Sequence, residues 1–545
     1  MRYPQGKMRR KSPPPRPAAT LPSLTLILFS LLTTTTTTTT TSSLSTITSS
    51  LSTNASSQQL QFLKCLFLTS PTPIPTTNPL LTPSLSSPYQ PIFVLHPNTF
   101  DHVEATVKCA KAHHLQIRTR SGGHDYANLS SVSLSVKPFL VLDLANLRAI
   151  TVAHDRTNLA MWVQAGATLG ELYHAILTHA PNHAFPAGLC PTVGVGGHIS
   201  GGGFGLLVRK FGLAADNVLD ALIVDSKGRI LSRETMGEDL FWAIRGGGAA
   251  SFCIVLSWKL MIHPVPEIVT IFNIHKTHDE RAIALIHKWN LIAYKLPRNL
   301  FIRVLLQRLP AKKGGTAITT TFQSLYLGNY SKLKGAMNQW FPELRFSQSD
   351  AMEMSWRQAV LFFSGYKNAT SIDVLLDRVN KDHLGFKAKS DYLTRPMPKR
   401  GLQGLWEWME KEEKPFVIID PYGGKVAEIA EDETPFPHRA GSLYNIQYIL
   451  KWEGEGAEEK KKHEEWIWGL YNHMERYVSK KPRAAYLNYR DLDLGINGRF
   501  GGYEEARVWG EKYFKGNFRR LAMVKAEVDS GDFFWNEQSI PPLRP

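Results

Sequence analysis

From residue 92 onward, short apolar runs alternate with stretches whose apolar positions recur at helical spacing. Apolar runs that predict strands or hairpins lie at residues 92–96, 115–119, 139–143, 150–164 and 222–231. Helical spacing predicts helices over residues 99–113 and 169–178. Pro264 and Pro266 then interrupt the pattern and mark a boundary. This order of elements predicts a mixed α+β domain over residues 86–264.

The region after these prolines repeats the pattern more coarsely. Its predicted strands and helices lie at residues 269–274, 281–296, 301–305, 317–322 and 331–340. The alternation predicts a second domain over residues 265–484, in which helices cover an antiparallel sheet. The Glu- and Lys-rich stretch at 454–465 is interpreted as a solvated loop that begins a helix. Residues 485–545 are too short to form a domain alone, so we expect them to return to the first domain.

The first 57 residues have the pattern of a targeting segment. Basic residues through Arg16 precede an apolar run over 21–32, and a Thr- and Ser-rich stretch follows. This order predicts a secretory signal and a disordered spacer, followed by a short N-terminal segment over 58–85. A plastid-type presequence and a misassigned start are the alternatives. A helix needs about 20 apolar residues to cross a bilayer, so we expect no transmembrane span.

The charge balance narrows the class of partner. Among 545 residues, 63 are Lys or Arg and 47 are Asp or Glu, which gives a net charge of +16. A basic surface favours nucleic acid, an anionic membrane or an acidic wall polysaccharide. No module of basic and aromatic residues accompanies the charge, which disfavours nucleic acid.

Four sequons are consistent with a glycosylating compartment; they lie at Asn54, Asn128, Asn329 and Asn368. The chain has four cysteines, which are too few for a disulfide scaffold and have no CxxC spacing. No metal site is therefore expected. In an oxidising compartment, two of the cysteines can pair.

Three glycine clusters occur in the first domain, at residues 120–126, 188–205 and 245–248. Glycines let backbone N–H groups turn toward an anion, so such loops are able to cradle a pyrophosphate. The dinucleotide fingerprint GxGxxG fails, because the register begun at Gly194 meets Ile199 and that begun at Gly246 meets Ser251. No GxxxxGK[ST] motif occurs either, so a Rossmann or P-loop site is disfavoured.

At these residues the chain resembles the berberine bridge enzyme-like flavoproteins of plants, which have the PCMH-type FAD-binding fold of the vanillyl-alcohol-oxidase group. The matching segments are SGGHDY at 121–126, GLCPTVG at 188–194, GHISGGG at 197–203, GLAADN at 212–217, MGEDLFW at 236–242, TPFPHR at 434–439, NYRDLDLG at 488–495 and NEQSIPP at 536–542. They run in order from residue 62 to the C-terminus. The resemblance implies a two-domain FAD-binding fold and a flavin oxidoreductase.

The resemblance also implies how the flavin is held. His124 and Cys190 match the two residues that attach FAD covalently, the imidazole to the 8α-methyl and the thiol to C6. The other residues implied in cofactor binding are Ser121, Gly122, Gly123, Val193, Gly197, His198, Gly201, Gly202 and Asn488. Among these, His198 matches a position that helps stabilise the reduced flavin. Cys65 and Cys109 match a disulfide pair.

On the substrate side, Tyr126, Gln447, Tyr486 and Tyr489 match positions that face the substrate. Alcohol oxidation needs hydride transfer and a base for the hydroxyl proton, and we expect Tyr489 to be that base. Relatives with alcohol-oxidising pockets often have Lys at the position of Asn445 and Tyr at that of Phe204. The absence of this Lys and this Tyr makes a mechanism in which an ionised tyrosine acts as the base less favourable.

Three further positions carry expectations. Val193 matches a family position that gates the approach of oxygen to the flavin, and Val leaves more room there than Leu, so the resemblance implies an oxidase that produces hydrogen peroxide rather than a dehydrogenase. Cys253 stands where the family usually has Gly, and its side chain puts cofactor occupancy in doubt. A glycan on Asn128, close to the flavin link, would obstruct folding, so we expect this sequon to be unmodified.

Together these features predict a secreted FAD-dependent oxidase of the cell wall, with the vacuole as another location. Its expected substrate is an alcohol, namely a carbohydrate or oligosaccharide, a monolignol or a related plant metabolite, with O₂ as electron acceptor. An acidic wall polysaccharide is the expected macromolecular partner. The alternatives are an oxidative cyclase of the alkaloid or cannabinoid type and a secreted binding or defence protein that has lost catalysis.

Overall fold

The computed structural model describes residues 56–77, 90–134, 138–155, 158–277, 280–310, 315–379, 384–454, 456–498 and 501–543. The predicted signal and spacer, apart from residues 56 and 57, and the sequon at Asn54 lie outside this part of the chain. The chain divides into two compact units, Met1–Leu60 and Gln61–Pro545. Of the first unit, only residues 56–60 are described, and they include the start of helix α1 (Ser57–Thr69).

The first half of the second unit holds two sheets and a two-stranded ribbon. Its strands are β1 (Thr76–Thr77), β2 (Val94–Leu95), β3 (Gln116–Arg120), β4 (Phe139–Asp143), β5 (Ile150–Asp155), β6 (Asn158–Gln164), β7 (His183–Ala184), β8 (Val218–Val224), β9 (Ile230–Leu231), β10 (Ile254–Met261) and β11 (His263–Pro264). One sheet has the order β1-β2-β4-β3, in which β4 pairs in parallel with both neighbours. Every residue of β4 is buried, as an uninterrupted apolar run predicts. The other sheet is antiparallel, in the order β5-β6-β10-β8-β9, and β7 pairs with β11.

The second half is built on one seven-stranded antiparallel sheet. Its strands are β12 (Ile268–Thr277), β13 (Leu300–Pro310), β14 (Thr316–Tyr326), β15 (Met352–Ser355), β16 (Gly385–Leu393), β17 (Pro415–Pro421) and β18 (Tyr444–Trp452). They lie in the order β15-β12-β14-β13-β17-β18-β16. The sequence predicted β12, β13 and β14, whereas β16, β17 and β18 were not predicted. These three strands matter because they carry one wall of the candidate site.

The remaining α-helices are distributed over both halves and the C-terminal segment. They are α2 (Phe100–Ala112), α3 (Leu169–His179), α4 (Val195–Ser200), α5 (Val208–Phe211), α6 (Arg233–Met236), α7 (Glu238–Ile244), α8 (Glu280–Ile292), α9 (Tyr330–Trp340), α10 (Trp356–Phe363), α11 (Lys399–Glu410), α12 (Ala457–Met474), α13 (Tyr503–Phe514) and α14 (Asn517–Val528). A disulfide joins Cys65 of α1 to Cys109 of α2, which is the pair that the resemblance implied. Among the described helices, none is both long and apolar enough to cross a membrane.

The C-terminal segment packs on the first half of the unit. Lys525 of α14 is buried and donates a hydrogen bond to the carbonyl of Ser251 at 2.7 Å. Further along, Glu537 forms a fully buried ion pair with Arg118 of β3, with 3.1 Å between the charged atoms. Breaking one partner of such a pair leaves a buried charge uncompensated, so this contact ties the segment to the first sheet. The mixture of helices with two mainly antiparallel halves confirms the predicted α+β class.

Candidate active site

A cavity of about 730 Å³ lies between the glycine loops of the first half and the seven-stranded sheet. One wall, here called the glycine wall, is formed by loop residues within 121–126, 188–205 and 247–251. The opposite wall, here called the strand wall, is formed by side chains of β13, β16, β17 and β18; these are Arg303, Phe386, Phe416, Ile418, Asp420, Ile449 and Lys451. A concave site of this volume is typical of small-molecule binding.

The glycine wall depends on close backbone packing. A Cβ added to Gly122 would lie 2.2 Å from the backbone nitrogen of Gly194, so no larger residue fits there. Gly123 has φ +69°, a left-handed conformation that favours glycine. Ser121 fixes the loop from its other side, because its hydroxyl donates a hydrogen bond to the carbonyl of Ala165 at 2.5 Å.

Asp125 lies between His124 and Tyr126 and stabilises the turn that follows them. Its Oδ1 accepts hydrogen bonds from the backbone N–H groups of Ala127 and Leu129. Its Oδ2 accepts a hydrogen bond from Nε of Arg490 at 2.8 Å. Neither Asp125 nor Arg490 was identified as a site residue from the sequence, although both lie in segments that carried the family resemblance.

His124 and Cys190 meet at Thr192 on the glycine wall. Oγ1 of Thr192 lies 2.8 Å from Nε2 of His124 and 3.4 Å from Sγ of Cys190. Burial lowers the pKa of His124 below its usual value, so its imidazole is neutral at neutral pH and keeps a lone pair. Cys190 is exposed at the cavity and has no disulfide partner. Two nucleophiles therefore point into one end of the cavity, and Thr192 was not identified from sequence.

Helix α3 holds the segment that carries Cys190. The backbone N–H groups of Leu169 and Gly170, in its first turn, donate hydrogen bonds to the carbonyls of Val193 and Pro191 at 2.8 and 2.9 Å. Thr168 caps this helix by accepting a hydrogen bond from the backbone N–H of Glu171, and the segment satisfies two further N–H groups that an isolated helix leaves unpaired. Val193, the expected oxygen-gating residue, lies in this segment and lines the cavity.

His198 is a neutral buried side chain. Its Nε2 accepts a hydrogen bond from the backbone N–H of Gly188 at 3.0 Å, so the ring proton resides on Nδ1. Burial lowers the pKa of His198 to about 4. Any help that it gives to a negatively charged flavin therefore comes from the Nδ1–H donor rather than from a positive charge.

Tyr486 and Asn488 link the C-terminal segment to the glycine wall. The Tyr486 hydroxyl accepts hydrogen bonds from the backbone N–H of Gly203 at 2.8 Å and from Nδ2 of Asn488 at 2.9 Å. Nδ2 of Asn488 also donates to the carbonyl of His198. A Cβ on Gly201 would lie 2.0 Å from Oδ1 of Asn488, so this glycine leaves the room that the amide occupies. The contacts of Tyr486 are those of a residue that positions the loops.

Tyr126, Gln447 and Tyr489 lie together at the substrate side. Nε2 of Gln447 donates a hydrogen bond to the Tyr126 hydroxyl at 2.7 Å, and the Tyr126 and Tyr489 rings stack with centroids 5.6 Å apart. Burial raises the pKa of Tyr126 to about 12. Burial first, and then the neighbouring tyrosines and Asp420, raise the pKa of Tyr489 well above 10. These surroundings favour the neutral phenols, which argues against Tyr489 as the base.

The three positions that depart from the family lie close to the cavity or line it. Asn445 is buried; its Nδ2 donates to the carbonyl of Asp391, and its Oδ1 has no hydrogen-bond partner among the described residues. Phe204 is buried and packs edge-on against Tyr489, with ring centroids 6.2 Å apart. Cys253 is buried in the cavity wall, and burial raises the pKa of its thiol, which stays neutral.

Arg303 and Asp420 are cavity residues that the sequence analysis missed. They lie on neighbouring strands β13 and β17, and 3.8 Å separates Nη1 of Arg303 from Oδ1 of Asp420. One signal was available: Asp420 is an acidic residue at the end of the apolar run 415–419. A charged residue in such a run is seldom buried without a partner.

The cavity fits FAD. A Cβ added to Gly197, on the glycine wall, would meet no atom within 4 Å, so open space lies directly against this backbone. His124 and Cys190 place two nucleophilic side chains at one end of the same space. His198 adds a ring N–H donor to the wall between them and the C-terminal segment.

The three described sequons differ in accessibility. Asn329 is exposed and begins helix α9, where its Oδ1 accepts a hydrogen bond from the backbone N–H of Lys332. Asn368 is exposed in a loop, whereas Asn128 is half-buried with φ +58°. A glycan bonds to Nδ2, so the capping bond of Asn329 does not block modification.

The fold and this cavity define a flavin-dependent oxidoreductase. The chain matches the family model described as "FAD binding domain" over residues 91–233 and the model described as "Berberine and berberine like" over residues 485–541. It is 48% identical over 455 residues to the monolignol oxidoreductase AtBBE-like 13 of Arabidopsis thaliana, covering 83% of this chain and 84% of that protein. The protein belongs to the berberine bridge enzyme-like family of FAD-dependent oxidoreductases.

Two further similarities cover most of the chain. A tetrahydroberberine oxidase of Berberis wilsoniae is 47% identical over 526 residues, which are 92% of this chain and 97% of that protein. The crystal structure of Phl p 4, a grass pollen allergen with glucose dehydrogenase activity, superposes with a TM-score of 0.82 at 42% identity. That match covers 89% of this chain and all of the allergen chain. These comparisons bear out the predicted family, fold and enzyme class.

Proposed function

We propose that the protein is a secreted oxidase that carries FAD on two covalent bonds, through His124 and Cys190, and oxidises an alcohol with O₂ as acceptor. The observation that carries this proposal is the meeting of His124 and Cys190 at Thr192, with both side chains at one end of the cavity. A neutral imidazole and a thiolate are nucleophiles able to add to an electron-poor ring. When bound, FAD supplies the hydride acceptor for oxidation of a carbinol carbon.

The strand wall favours an alcohol with an apolar or aromatic body over a carbohydrate. Phe416 and Ile418 of β17, Ile449 of β18 and Phe386 of β16 present apolar side chains to the cavity. A sugar presents several hydroxyl groups, each of which needs a hydrogen-bond partner when buried. The monolignol oxidoreductase among the relatives is consistent with this choice.

Oxygen use and secretion are parts of the same proposal. Oxygen use is supported by Val193, which lines the cavity together with Cys190 and has a smaller side chain than Leu. Secretion is supported by the signal-like N-terminus, the disulfide between Cys65 and Cys109, and the exposed sequons at Asn329 and Asn368. Removal of the six Lys and Arg residues in the first 20 positions lowers the net charge from +16 to about +10 (16 − 6). This remaining positive charge supports retention in an acidic wall and predicts that added salt releases the protein.

The proposal is tested by offering the purified protein a panel of aromatic alcohols and sugars in air and measuring hydrogen peroxide. We expect peroxide with aryl-bearing alcohols and little with sugars. An electron-accepting dye in place of air separates oxidase from dehydrogenase activity. Reduction of the dye in the presence of an alcohol, without peroxide in air, would contradict the oxidase assignment. A flavin that no alcohol reduces would contradict the substrate class.

A second candidate is oxidation of an amine, since one relative is named a tetrahydroberberine oxidase. Two observations favour it: the extent of the match to the tetrahydroberberine oxidase, and the buried Asp420 carboxylate, which is able to pair with a cationic amine. Benzylic amines in the same panel would separate the two substrate classes.

A further inference from the structure

Three polar side chains form a row across the strand wall. Arg303, Asp420 and Asn445 belong to the adjacent strands β13, β17 and β18, and Asp420 pairs directly with Asn445. Arg303 and Asp420 line the cavity, and Asp420 is only 4% exposed. The row therefore places the buried carboxylate of Asp420 at the cavity surface. Asp420 follows the apolar residues Phe416 and Ile418 on the same strand, β17, and all three line the cavity.

The hydrogen bonds of this row are incomplete. The gap of 3.8 Å between Arg303 and Asp420 is too long for a hydrogen bond. Nε of Arg303 and Oδ1 of Asn445 are buried without a hydrogen-bond partner among the described residues, and they lie on the strands on either side of Asp420. Buried polar groups are normally paired, so unpaired groups at a cavity point to a ligand that completes them.

A hydroxyl group matches this arrangement. An oxygen placed between the two side chains can donate its proton to the carboxylate and accept a hydrogen bond from the guanidinium, at normal hydrogen-bond distances from both. The Coulomb attraction to Arg303 keeps the carboxylate oriented toward the gap. An apolar ligand would leave both charged groups without partners.

We propose that Asp420 is the base that takes the hydroxyl proton of the alcohol substrate, while Arg303 donates a hydrogen bond to the same oxygen. The inference rests on the proposed function and assigns the role that the neutral phenol of Tyr489 is poorly suited to fill. The substrate O–H bond breaks and its proton passes to Asp420. The carbinol C–H bond breaks as a hydride, whose two electrons pass to the flavin as oxidant, and a carbonyl C=O bond forms. Asp420 then returns its proton to solvent.

The surroundings of Asp420 suit this role. Burial raises its pKa above the usual value, and Arg303 opposes the shift. The other titratable groups that act on this part of the cavity are Tyr422 and Tyr489, whose own pKa values Asp420 raises, and Lys451 lies further along β18. A carboxylate with a raised pKa is a stronger base than an ordinary one and is still ionised more readily than a tyrosine.

The test compares the wild type with Asp420→Asn in anaerobic stopped-flow reduction of the flavin by an aryl alcohol. Because the base must be ionised, the wild-type rate should fall as the pH drops through the pKa of Asp420. In Asp420→Asn, the limiting rate of flavin reduction should fall by about 10²- to 10⁴-fold. The decrease of that rate toward low pH, here called the acid limb, should vanish. Asp420→Glu should recover part of the rate together with the limb. Asp373→Asn, an exposed carboxyl on another face, should change neither.

A second readout does not depend on turnover. Infrared difference spectra between acid and neutral pH should contain a carboxylic-acid C=O band that Asp420→Asn lacks. Retention of the visible flavin spectrum by the variant shows that fold and cofactor are intact; if Asp420→Asn loses flavin, Asp420→Glu must keep both the flavin and the acid limb.

Three outcomes would overturn the proposal. The first is a limiting rate of flavin reduction in Asp420→Asn within about threefold of the wild-type rate, and the second is an unchanged acid limb in this variant. The third is weaker substrate binding at an unchanged limiting rate, which would mean that Asp420 binds the substrate but does not take its proton. A wild-type flavin that no alcohol reduces would contradict the proposed function instead, and the infrared band would then decide whether Asp420 titrates in the cavity at all.

Discussion

The two walls of the cavity are built on opposite principles. On the glycine wall, a Cβ at Gly122 would overlap the backbone of Gly194, and a Cβ at Gly201 would overlap the side-chain amide of Asn488. On the strand wall, regular strands carry the side chains, and single polar atoms such as Nε of Arg303 and Oδ1 of Asn445 lack a hydrogen-bond partner among the described residues. The first wall fixes the position of a large cofactor, and the second leaves polar groups for a variable substrate. Substitutions should therefore damage the glycine wall through folding and the strand wall through chemistry.

The largest effect is expected from Gly122→Ala. Its Cβ would lie 2.2 Å from the nitrogen of Gly194, and neither backbone is free to move, so we expect a loss of about 3 kcal/mol or more in the free energy of unfolding. Thermal unfolding and soluble yield measure this. Gly197→Ala is the matched control, because its Cβ meets nothing within 4 Å and enters the open cavity. It should unfold like the wild type but bind less flavin. Equal stability of both variants would contradict the packing account.

A smaller effect is expected from Asn445→Lys on the strand wall. The new ammonium would lie beside Asp420, its pairing partner across the strands, and an opposite charge lowers the pKa of a carboxyl by about 1 to 3 units. The acid limb of the flavin reduction rate should therefore move to lower pH. Asn445→Met has a similar length without charge and should leave the limb in place. Identical pH profiles for both variants would argue against coupling between the two positions.

The smallest effect is expected from Val193→Leu, which adds one methylene to the glycine wall. We expect reoxidation of the flavin by O₂ to slow, while its reduction by alcohol stays the same, because only the approach of oxygen is obstructed. Stopped-flow measurement of the two half-reactions separates them. A parallel loss in both rates would mean that the substitution disturbs the cavity as a whole.

The fold class and the glycine wall were predictable because their signals are local. The buried strand β4 is one continuous apolar run in the sequence. The glycine clusters around His124 and Cys190 have few compatible backbone conformations. The strand wall was not predicted in the same way. Strands β16, β17 and β18 pair with one another across intervening elements, and sequence periodicity does not report which strands become neighbours.

The roles of single side chains were hardest to predict. Tyr489 matched a substrate-facing position, yet burial and nearby charges raise its pKa, and this depends on the whole environment. Likewise, the hydroxyl of Tyr486 accepts two hydrogen bonds from the loop region, a fact that no spacing reveals. Asp420 and Arg303 become recognisable as a pair only once β13 and β17 lie side by side.

The most direct test of the central claim is the visible absorbance of protein that has been acid-precipitated and washed. If His124 and Cys190 both bind the flavin, the wild-type pellet should stay yellow, and His124→Ala or Cys190→Ala alone should keep the colour through the remaining bond. The pellet of the double variant should lose the yellow colour. The pellet of Cys253→Ala, a variant that lacks the buried thiol, should keep the colour. A wild-type pellet that washes colourless would contradict covalent attachment, and a protein without colour at any stage would point to the binding protein that has lost catalysis.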